Sequence, residues 1–328
     1  RDKIEPGLPG MWRYRHAFDL PQNAPVVTLG EGSTPLIEVE TIHGPVWLKL
    51  ESLNPTGSYK DRGSAVLASQ LLARGAQTAV EDSSGNAGAS FAAYAARCGI
   101  RASIYVPETA SGPKRRQIEE YGARLVAVPG ARSAAAAAVL IEAENGVPYA
   151  SHAYLPFGLA GIASIAYELV EKQPEIGTVM MPVGHGGLLL GVVRGFKAML
   201  AAGWIQRLPY FVGVQAAGCA PLVNRFHQLP GVQTRYADGD TLAEGVRVKQ
   251  PVRGPALLRE ISAQAGEFIA IPEDQLLPAY TMLSRQGVYV EPTSALAWAA
   301  YENLAEKLPR PITLILTGSG LKYNPVIT

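Results

Sequence analysis

Cysteine is scarce in this 328-residue chain: Cys98 and Cys219 are its two cysteines, and they lie far apart. Neither has another Cys or a His at metal-ligand spacing, which argues against a disulfide scaffold and against a zinc site. The five histidines form no HExxH pattern. We therefore expect two reduced thiols in a cytoplasmic protein, and no metal.

The chain also lacks an excess of charge of either sign and a long apolar run. Its 29 basic and 28 acidic residues leave a net charge of +1, which gives no electrostatic footprint for nucleic acid or an anionic membrane. The apolar run Ala134–Ile141 is too short to cross a bilayer, and the polar start Arg1–Pro6 does not resemble a signal peptide. We therefore expect a small-molecule ligand and no nucleic-acid or membrane partner.

What the chain does have is a regular alternation of short apolar runs and amphipathic stretches. Its length is about twice that of a typical domain, so two cores or one large unit are both open. Strands are predicted at 46–50, 78–80, 102–106, 124–128, 178–181, 210–214 and 312–316, and helices from the turn at 54–57 to 74 and at 87–98, 113–121, 133–144, 161–172, 188–202 and 294–307. The Gly-, Pro- and Asp-rich stretch 225–255 is predicted to be a surface loop. The pattern predicts an α/β fold of two domains, each a parallel-type sheet flanked by helices, with ligand loops at the carboxyl ends of the strands.

The segment Gly57–Gly63 places Lys60 in the first turn of a predicted helix. The positive end of the helix dipole disfavours an ammonium group there. A neutral amine is what condensation with an aldehyde requires. The alternative is a solvent-exposed lysine paired with Asp61, and this motif alone does not decide between the two.

The segment Asp82–Gly88 lies between a predicted buried strand and a helix. Its glycines and small hydroxyl residues let backbone N–H groups face an anion such as a substrate carboxylate. Asn86 is a candidate donor to a phenolate-like oxygen. The alternative is an ordinary helix cap without a ligand.

The segment Pro182–Leu188 is a glycine cluster between another strand and helix. It lacks the Lys-Ser/Thr pair of a P-loop and fails the GxGxxG pattern, so neither ATP hydrolysis nor a dinucleotide is supported. A glycine cluster at a helix N-terminus suits a single phosphate group. A tight turn with no ligand is the alternative.

The segment Leu316–Lys322 follows the last predicted strand. Thr317 places a hydroxyl at the carboxyl end of that strand, where ligands of α/β proteins bind. Ser319 is the competing candidate, and a plain strand exit is the alternative.

Taken together, these motifs resemble the fold-type II (tryptophan synthase β-like) pyridoxal-phosphate enzymes, and within them the threonine synthase-like group. The resemblance covers most of the chain and is carried by segments in family order: Trp12–Arg15, Gly30–Leu36, Asn54–Arg62, Ser83–Asn86, Glu291–Ala295 and Thr317–Lys322. It implies pyridoxal 5'-phosphate (PLP) as the cofactor and a homodimer. It also implies a smaller, mobile domain at 55–150 and a larger domain formed by 1–54 and 151–328.

The resemblance also implies a role for each motif. Lys60 would hold PLP as a Schiff base and, once released as an amine, move the α-proton of the substrate. Asn86 would contact the ring oxygen of PLP, and Thr317 would meet the pyridine nitrogen. A hydroxyl there is a weaker proton source than a carboxylate, which favours elimination or replacement over transamination. The phosphate cradle would consist of Gly184, His185, Gly186, Gly187 and Leu188, and the substrate-binding set of Ser83, Ser84, Gly85, Asn86, Ala87 and His152.

One segment departs from the threonine synthase pattern. Gly158 stands where that pattern has an arginine that binds the substrate's phosphate, and Ala160 replaces its glutamate. The loss disfavours O-phosphohomoserine as substrate unless Arg115, Arg116 or another cation substitutes. The patch Tyr154–Leu159 predicts a more apolar pocket.

Two histidines near these segments leave two interpretations open. His152 follows the substrate-side loop in the predicted order, and His185 replaces an asparagine common in the phosphate turn. They form either a second acid–base pair or two ordinary loop histidines.

The leading hypothesis is a PLP-dependent lyase that eliminates or replaces a β or γ substituent of an amino acid. A threonine/serine-type dehydratase (ammonia-lyase) acting on a β-hydroxy amino acid is the alternative. A non-catalytic protein that keeps the fold is a remoter one, against which the retention of Lys60 argues. A nicotinamide oxidoreductase fails on the missing dinucleotide pattern.

Overall fold

The strands and helices of the chain alternate through most of its length. The computed structural model describes residues 4–110, 112–227, 239–264 and 266–323. Its strands are β1 (Leu36–Val39), β2 (Val46–Leu50), β3 (Thr78–Glu81), β4 (Arg101–Pro107), β5 (Arg124–Val128), β6 (Thr178–Pro182), β7 (Tyr210–Ala216), β8 (Gly266–Ile271) and β9 (Ile312–Leu316). Its α-helices are α1 (Lys60–Ala73), α2 (Asn86–Cys98), α3 (Pro113–Glu120), α4 (Arg132–Glu144), α5 (Phe157–Lys172), α6 (Gly187–Ala201), α7 (Pro221–Phe226), α8 (Gly254–Ala263), α9 (Glu273–Arg285) and α10 (Pro292–Leu304). Short 3-10 helices lie at Gly10–Ala17, Glu51–Leu53, Glu244–Val246 and Gly320–Lys322.

The chain divides into two compact units, each with its own sheet. The first comprises Asn54–Ile162 with the described parts of Arg1–Ser33 and Lys322–Thr328, and the second comprises the described parts of Thr34–Leu53 and Ala163–Leu321. These bounds differ from the predicted ones, 55–150 against the remainder. The predicted mobility of the smaller domain stays a prediction.

The first unit contains the parallel three-stranded sheet β3-β4-β5. Ile104 and Val106 of β4 are fully buried in its core together with Phe91 and Ile118 from α2 and α3. The alanine-rich face of α2 lets this helix pack closely, since small side chains permit close approach of the backbones. The segment after α4 adds a single parallel bridge between Tyr149 and Val80 of β3.

A buried carboxylate explains why the first residues of the chain belong to this unit. Glu31 is fully buried. It accepts hydrogen bonds from Trp12 Nε1 (2.6 Å) and from Tyr94 of α2 (2.7 Å from the phenol oxygen). A buried charge is tolerated only when its hydrogen bonds are satisfied. The network therefore ties the N-terminal segment to α2.

The second unit contains a six-stranded sheet in the order β1-β2-β9-β6-β7-β8. The β1–β2 pair is antiparallel, and the other pairs are parallel. Every residue of β6 and of β9 is buried. Strands covered on both faces are expected to be continuously apolar, which is how the sequence shows them. The side chains of α10 complete this core.

The predicted α/β class with two parallel-type sheets is confirmed, and so is each predicted strand and helix, with ends that differ by a few residues. α10 ends at Leu304 rather than at 307. In the stretch 225–255 the described part holds the end of α7, one 3-10 helix and the start of α8, while 228–238 lies outside the described residues. β1, α8, β8 and α9 carried no prediction. Across the described part of the chain, no helix is both long and apolar enough to span a membrane.

Candidate active site

Lys60 is the first residue of α1, and a hydrogen-bonded turn fixes its position. The carboxylate of Asp61 accepts from the backbone N–H of Thr56 (2.7 Å), from its hydroxyl (2.5 Å) and from Ser90 of α2 (2.6 Å). Lys322 Nζ donates to the carbonyl of Thr56 (2.8 Å). The alternative in which Asp61 neutralises Lys60 is wrong, because the oxygens of Asp61 are occupied inside the protein.

Asp61 is fully buried, and burial raises its pKa to about 6. The hydrogen bonds from Ser90 and Thr56 and the charge of Lys322 lower this pKa and limit the shift. Desolvation is the larger effect, as expected for a carboxyl removed from water. Asp61 therefore serves to hold the turn before α1.

The amine of Lys60 is half-buried, and its Nζ lies 4.7 Å from the centre of the Tyr59 ring. Within the described part of the chain it makes no hydrogen bond or ion pair. A cation over an aromatic face is held weakly. This lysine can therefore reach an aldehyde without breaking a strong contact.

The loop Ser83–Ala87 connects β3 to α2, and its shape depends on Gly88. A Cβ atom on Gly88 would overlap the carbonyl oxygen of Ser83, so only glycine allows the loop to fold back on the helix. Gly85 donates its N–H to Ser83 Oγ (3.3 Å), and a Cβ atom on Gly85 would meet that same oxygen at 3.8 Å. Asn86 begins α2, whose first-turn N–H groups have no acceptor within the helix. The loop thus offers donors and room for an anion.

Two carboxylates lie immediately before this loop and were not identified from the sequence. Glu81 ends β3, and its Oε1 is 2.8 Å from His152 Nδ1. Asp82 follows and accepts a hydrogen bond from the Tyr149 hydroxyl (2.7 Å). Two acidic residues directly after an apolar strand are a sequence signature that could have found them. The predicted substrate residue His152 therefore has a specific acidic partner.

Burial raises the pKa of Glu81 well above its usual value. The neighbouring charge of Asp82 raises it further, whereas the charges of Arg132 and Lys60 and the contact with His152 lower it. The charge of Lys60 thus acts on Glu81. A perturbed carboxyl beside a ligand loop is a candidate for a functional group.

The glycine turn of the second unit connects β6 to α6. Gly186 has a φ of +94°, and a Cβ atom there would overlap Leu257 of α8. A Cβ on Gly187 would meet nothing nearer than Arg253 Nε, at 4.0 Å. The first-turn N–H groups of α6 therefore face open space, as a phosphate site requires.

Arg253 is a cation beside this turn that the sequence did not reveal. Its backbone N–H donates to the carbonyl of His185 (3.2 Å), and its Nε lies near Gly187 as described above. A guanidinium group complements a phosphate through charge and paired N–H donors. No sequence pattern links Arg253 to a turn so far away in the chain.

Thr317 follows β9 and is buried. Its hydroxyl lies 3.0 Å from Ser294 Oγ, which accepts from the backbone N–H of Gly318 (2.9 Å). The competing Ser319 instead accepts from the N–H of Leu321 (3.3 Å). Ser294 orients the Thr317 hydroxyl, so Thr317 is the better held of the two candidates.

The predicted residues thus fall into two groups, one in each unit. Lys60, the loop Ser83–Ala87 and His152 belong to the first unit. The glycine turn and Thr317 belong to the second, where β6 and β9 are neighbouring parallel strands whose carboxyl ends share one edge of the sheet. An accessible amine, a glycine turn beside a guanidinium and a buried hydroxyl are the groups that PLP requires.

Comparison with known proteins agrees with this chemistry. Residues 27–318 match the family of pyridoxal-phosphate dependent enzymes, and the chain belongs to that family. Within it, the chain is 33% identical to the threonine synthase of Methanocaldococcus jannaschii, over 95% of this chain and 80% of that protein. It is also 33% identical to the threonine synthase of Mycobacterium leprae, over 94% of this chain and 87% of that protein.

Solved structures give the same fold. A threonine deaminase from the organism abbreviated T.th. superposes with a TM-score of 0.74 at 25% identity, over 89% of this chain and 94% of that one. Maize serine racemase gives a TM-score of 0.74 at 21% identity, over 89% and 88% of the two chains, which supports the fold alone. The prediction of a fold-type II, PLP-dependent lyase of the threonine synthase-like group is confirmed, with PLP as its cofactor and an amino acid as the expected substrate.

Proposed function

We propose that this lyase eliminates a small, uncharged β substituent, a hydroxyl group first of all, from an amino acid. The dehydratase hypothesis is thereby preferred to the use of O-phosphohomoserine. The observation that carries the proposal is the contact of α5 with α1, where Gly158 occupies the position of the phosphate-binding arginine of threonine synthases.

Gly158 has no space for a larger side chain. A Cβ atom on it would lie 3.2 Å from Gly63 Cα and 3.3 Å from the Gly63 carbonyl oxygen in α1. One turn further along α5, a Cβ on Gly161 would overlap the carbonyl of Arg62. An arginine at 158 would force the two helices apart, and such overpacking is destabilising. The missing cation is therefore part of how these helices pack.

The cations that could have replaced it are placed otherwise. Arg115 donates to the Ala110 carbonyl (2.8 Å) and lies 3.5 Å from Glu119 within its own helix. Arg116 is on the same helix and is only partly buried. The groups next to the substrate-side loop are carboxyls, Glu81 and Asp82, and these disfavour a phosphate dianion. A neutral substituent avoids this repulsion.

The chain's own residues divide the work of such a reaction. PLP, when bound, supplies an electron sink for the bond broken at the substrate α-carbon. Lys60 is its attachment point and then takes the α-proton at Nζ. The loop Ser83–Ala87 binds the substrate carboxylate through its N–H groups, with Asn86 directed to the cofactor ring.

The second unit supplies the remaining contacts to PLP. The turn Gly184–Leu188 and Arg253 bind the phosphate group through N–H donors and charge. Thr317, oriented by Ser294, donates to or accepts from the ring nitrogen. None of these second-unit groups is a carboxylate, so this half of the site binds and orients.

Replacement of the substituent, as the names of the threonine synthases imply for those proteins, is the second candidate. It is favoured by 33% identity over 95% of this chain. A panel of L-serine, L-threonine and O-phospho-L-homoserine separates the two candidates. We expect a 2-oxo acid and ammonia from a hydroxy amino acid, and phosphate release at least about 100-fold slower, because the loss of a guanidinium contact costs about 3 kcal/mol. Phosphate and threonine as the dominant products would contradict the proposal, and Lys60→Ala supplies the blank.

We also propose a homodimer located in the cytoplasm. The dimer is supported by the family resemblance, and the cytoplasmic location by the scarcity of cysteine. Light scattering of the purified holoenzyme tests the dimer directly, and a monomer at micromolar concentration would contradict it.

A further inference from the structure

Two parallel segments of the first unit end side by side next to the substrate loop. Val80 of β3 donates its N–H to the carbonyl of Pro148 (2.9 Å), and its own carbonyl accepts from Ala150 (2.7 Å). Just beyond this bridge, β3 continues into Glu81 and the other segment into His152. In α/β folds this edge of the sheet is where ligands bind.

The contact between these two residues fixes the imidazole ring. His152 Nδ1 is 2.8 Å from Glu81 Oε1, and the side chains of His152 and Glu81 are 21% and 1% exposed. A carboxylate bound to one ring nitrogen orients the ring and stabilises the imidazolium ion, so that proton exchange with a ligand runs through Nε2. The buried member of the pair is the carboxylate, and the accessible one is the imidazole.

The surroundings of Glu81 favour retention of a proton by the pair. Glu81 Oε2 is buried and has no hydrogen-bond partner in the described part of the chain. Burial and the charge of Asp82 raise the pKa of Glu81, against the charges of Lys60 on α1 and Arg132 on α4. The pair therefore keeps its proton to a higher pH than an ordinary glutamate would.

We propose that His152, positioned by Glu81, donates a proton to the substituent that leaves the substrate's β-carbon. The loop Ser83–Ala87 follows Glu81 directly, so a substrate carboxylate bound there brings the β-carbon to the edge that carries His152. This inference rests on the proposed elimination and adds a second acid–base group to Lys60. His152 is the proton donor, and Glu81 is a positioning residue.

The proton balance is complete within the site and solvent. The bond between the β-carbon and the oxygen breaks with its electron pair on the oxygen, which takes the proton from His152 Nε2 and departs as water. The α-proton moves to Lys60. Lys60 later releases it to solvent, from which the partly exposed His152 recovers its own.

Leaving groups that differ in their need for a proton test this role. Chloride departs as a stable anion, whereas hydroxide must be protonated. With the holoenzyme, we expect His152→Asn to lower kcat/KM for L-serine by about 100-fold or more. For β-chloro-L-alanine we expect less than about 3-fold. Glu81→Gln keeps an oxygen at Nδ1 without the charge, and we expect a loss of about 10-fold with serine only. His16→Asn is the control, since His16 contacts Glu5 (2.8 Å) far along the chain from the loop and is 55% exposed.

A second readout uses the cofactor-free protein and does not depend on turnover. His152 is identified in the NMR spectrum by the loss of its signal in His152→Asn. We expect Glu81→Gln to lower the titration midpoint of His152 by about one pH unit. An unchanged midpoint would overturn the pairing.

Equal losses with serine and chloroalanine, or no loss with either, would overturn the role of His152 and leave the elimination itself standing. A wild-type enzyme that eliminates neither substituent would contradict the proposed function instead. Unchanged cofactor absorbance and melting temperature of the variants show that they fold.

Discussion

The two groups of site residues differ in the kind of atom they contribute. In the first unit, titratable side chains dominate: Lys60, Glu81 and His152 lie around a loop of backbone donors. In the second unit, the glycine turn contributes N–H groups, Arg253 a permanent charge and Thr317 a hydroxyl. The comparison teaches that proton transfer belongs to one unit, whereas cofactor binding belongs largely to the other. Loss of a first-unit group should therefore reduce turnover, and loss of a second-unit group should reduce affinity for PLP.

Removal of the Lys60 amine should give the largest effect. We expect Lys60→Ala to lower turnover by at least about 10⁴-fold, the upper range for loss of a proton-transfer group, and to abolish the absorbance of covalently bound cofactor. Lys197→Ala is the control, because this lysine is partly exposed and bonds Glu260 (2.9 Å) on the surface. An active, yellow Lys60→Ala enzyme would break the comparison at its strongest point.

Asp61 should make the first unit sensitive to pH. Its folded pKa of about 6 lies above the ordinary value of 3.8, so the folded state favours the protonated form. The stabilisation is fully present below about pH 4 and is lost as the pH rises through 6. We expect wild-type stability to fall by about 3 kcal/mol over this interval relative to Asp61→Asn, measured by urea unfolding. Parallel pH profiles for the two proteins would contradict this account of Asp61.

Arg253 should give a smaller effect, confined to binding. We expect Arg253→Gln to weaken PLP binding by about 10-fold, from the loss of a charge-assisted contact, and to leave pyridoxal binding unchanged because pyridoxal has no phosphate. Titration of the cofactor-free protein with each compound measures both values. Arg259→Gln, also on α8 but only partly buried, is the matched control. Equal weakening for both compounds would show that Arg253 acts only on the fold.

The sequence predicted the elements that alternate regularly, and it failed where packing overrides local preference. β6 and β9 were recognisable because strands buried on both faces must be continuously apolar. α9 contains Pro278, which argues against a helix interior. There the burial of Leu276, Ala279 and Leu283 in the core outweighs the proline.

The site shows the same contrast. Lys60, Asn86 and the glycine turn were recognisable because each belongs to a local motif. Glu81 gains its meaning from His152, and Arg253 from Gly187, and both pairs are joined only by the folded chain. Local motifs can be read from a sequence, but partners that meet through tertiary structure cannot.

The central claim is that the Lys60 amine carries the cofactor. Borohydride reduction of the holoenzyme followed by peptide mapping tests it most directly. We expect the reduced cofactor on the peptide that contains Lys60, with little label elsewhere. Label on another lysine, or on none, would contradict the account.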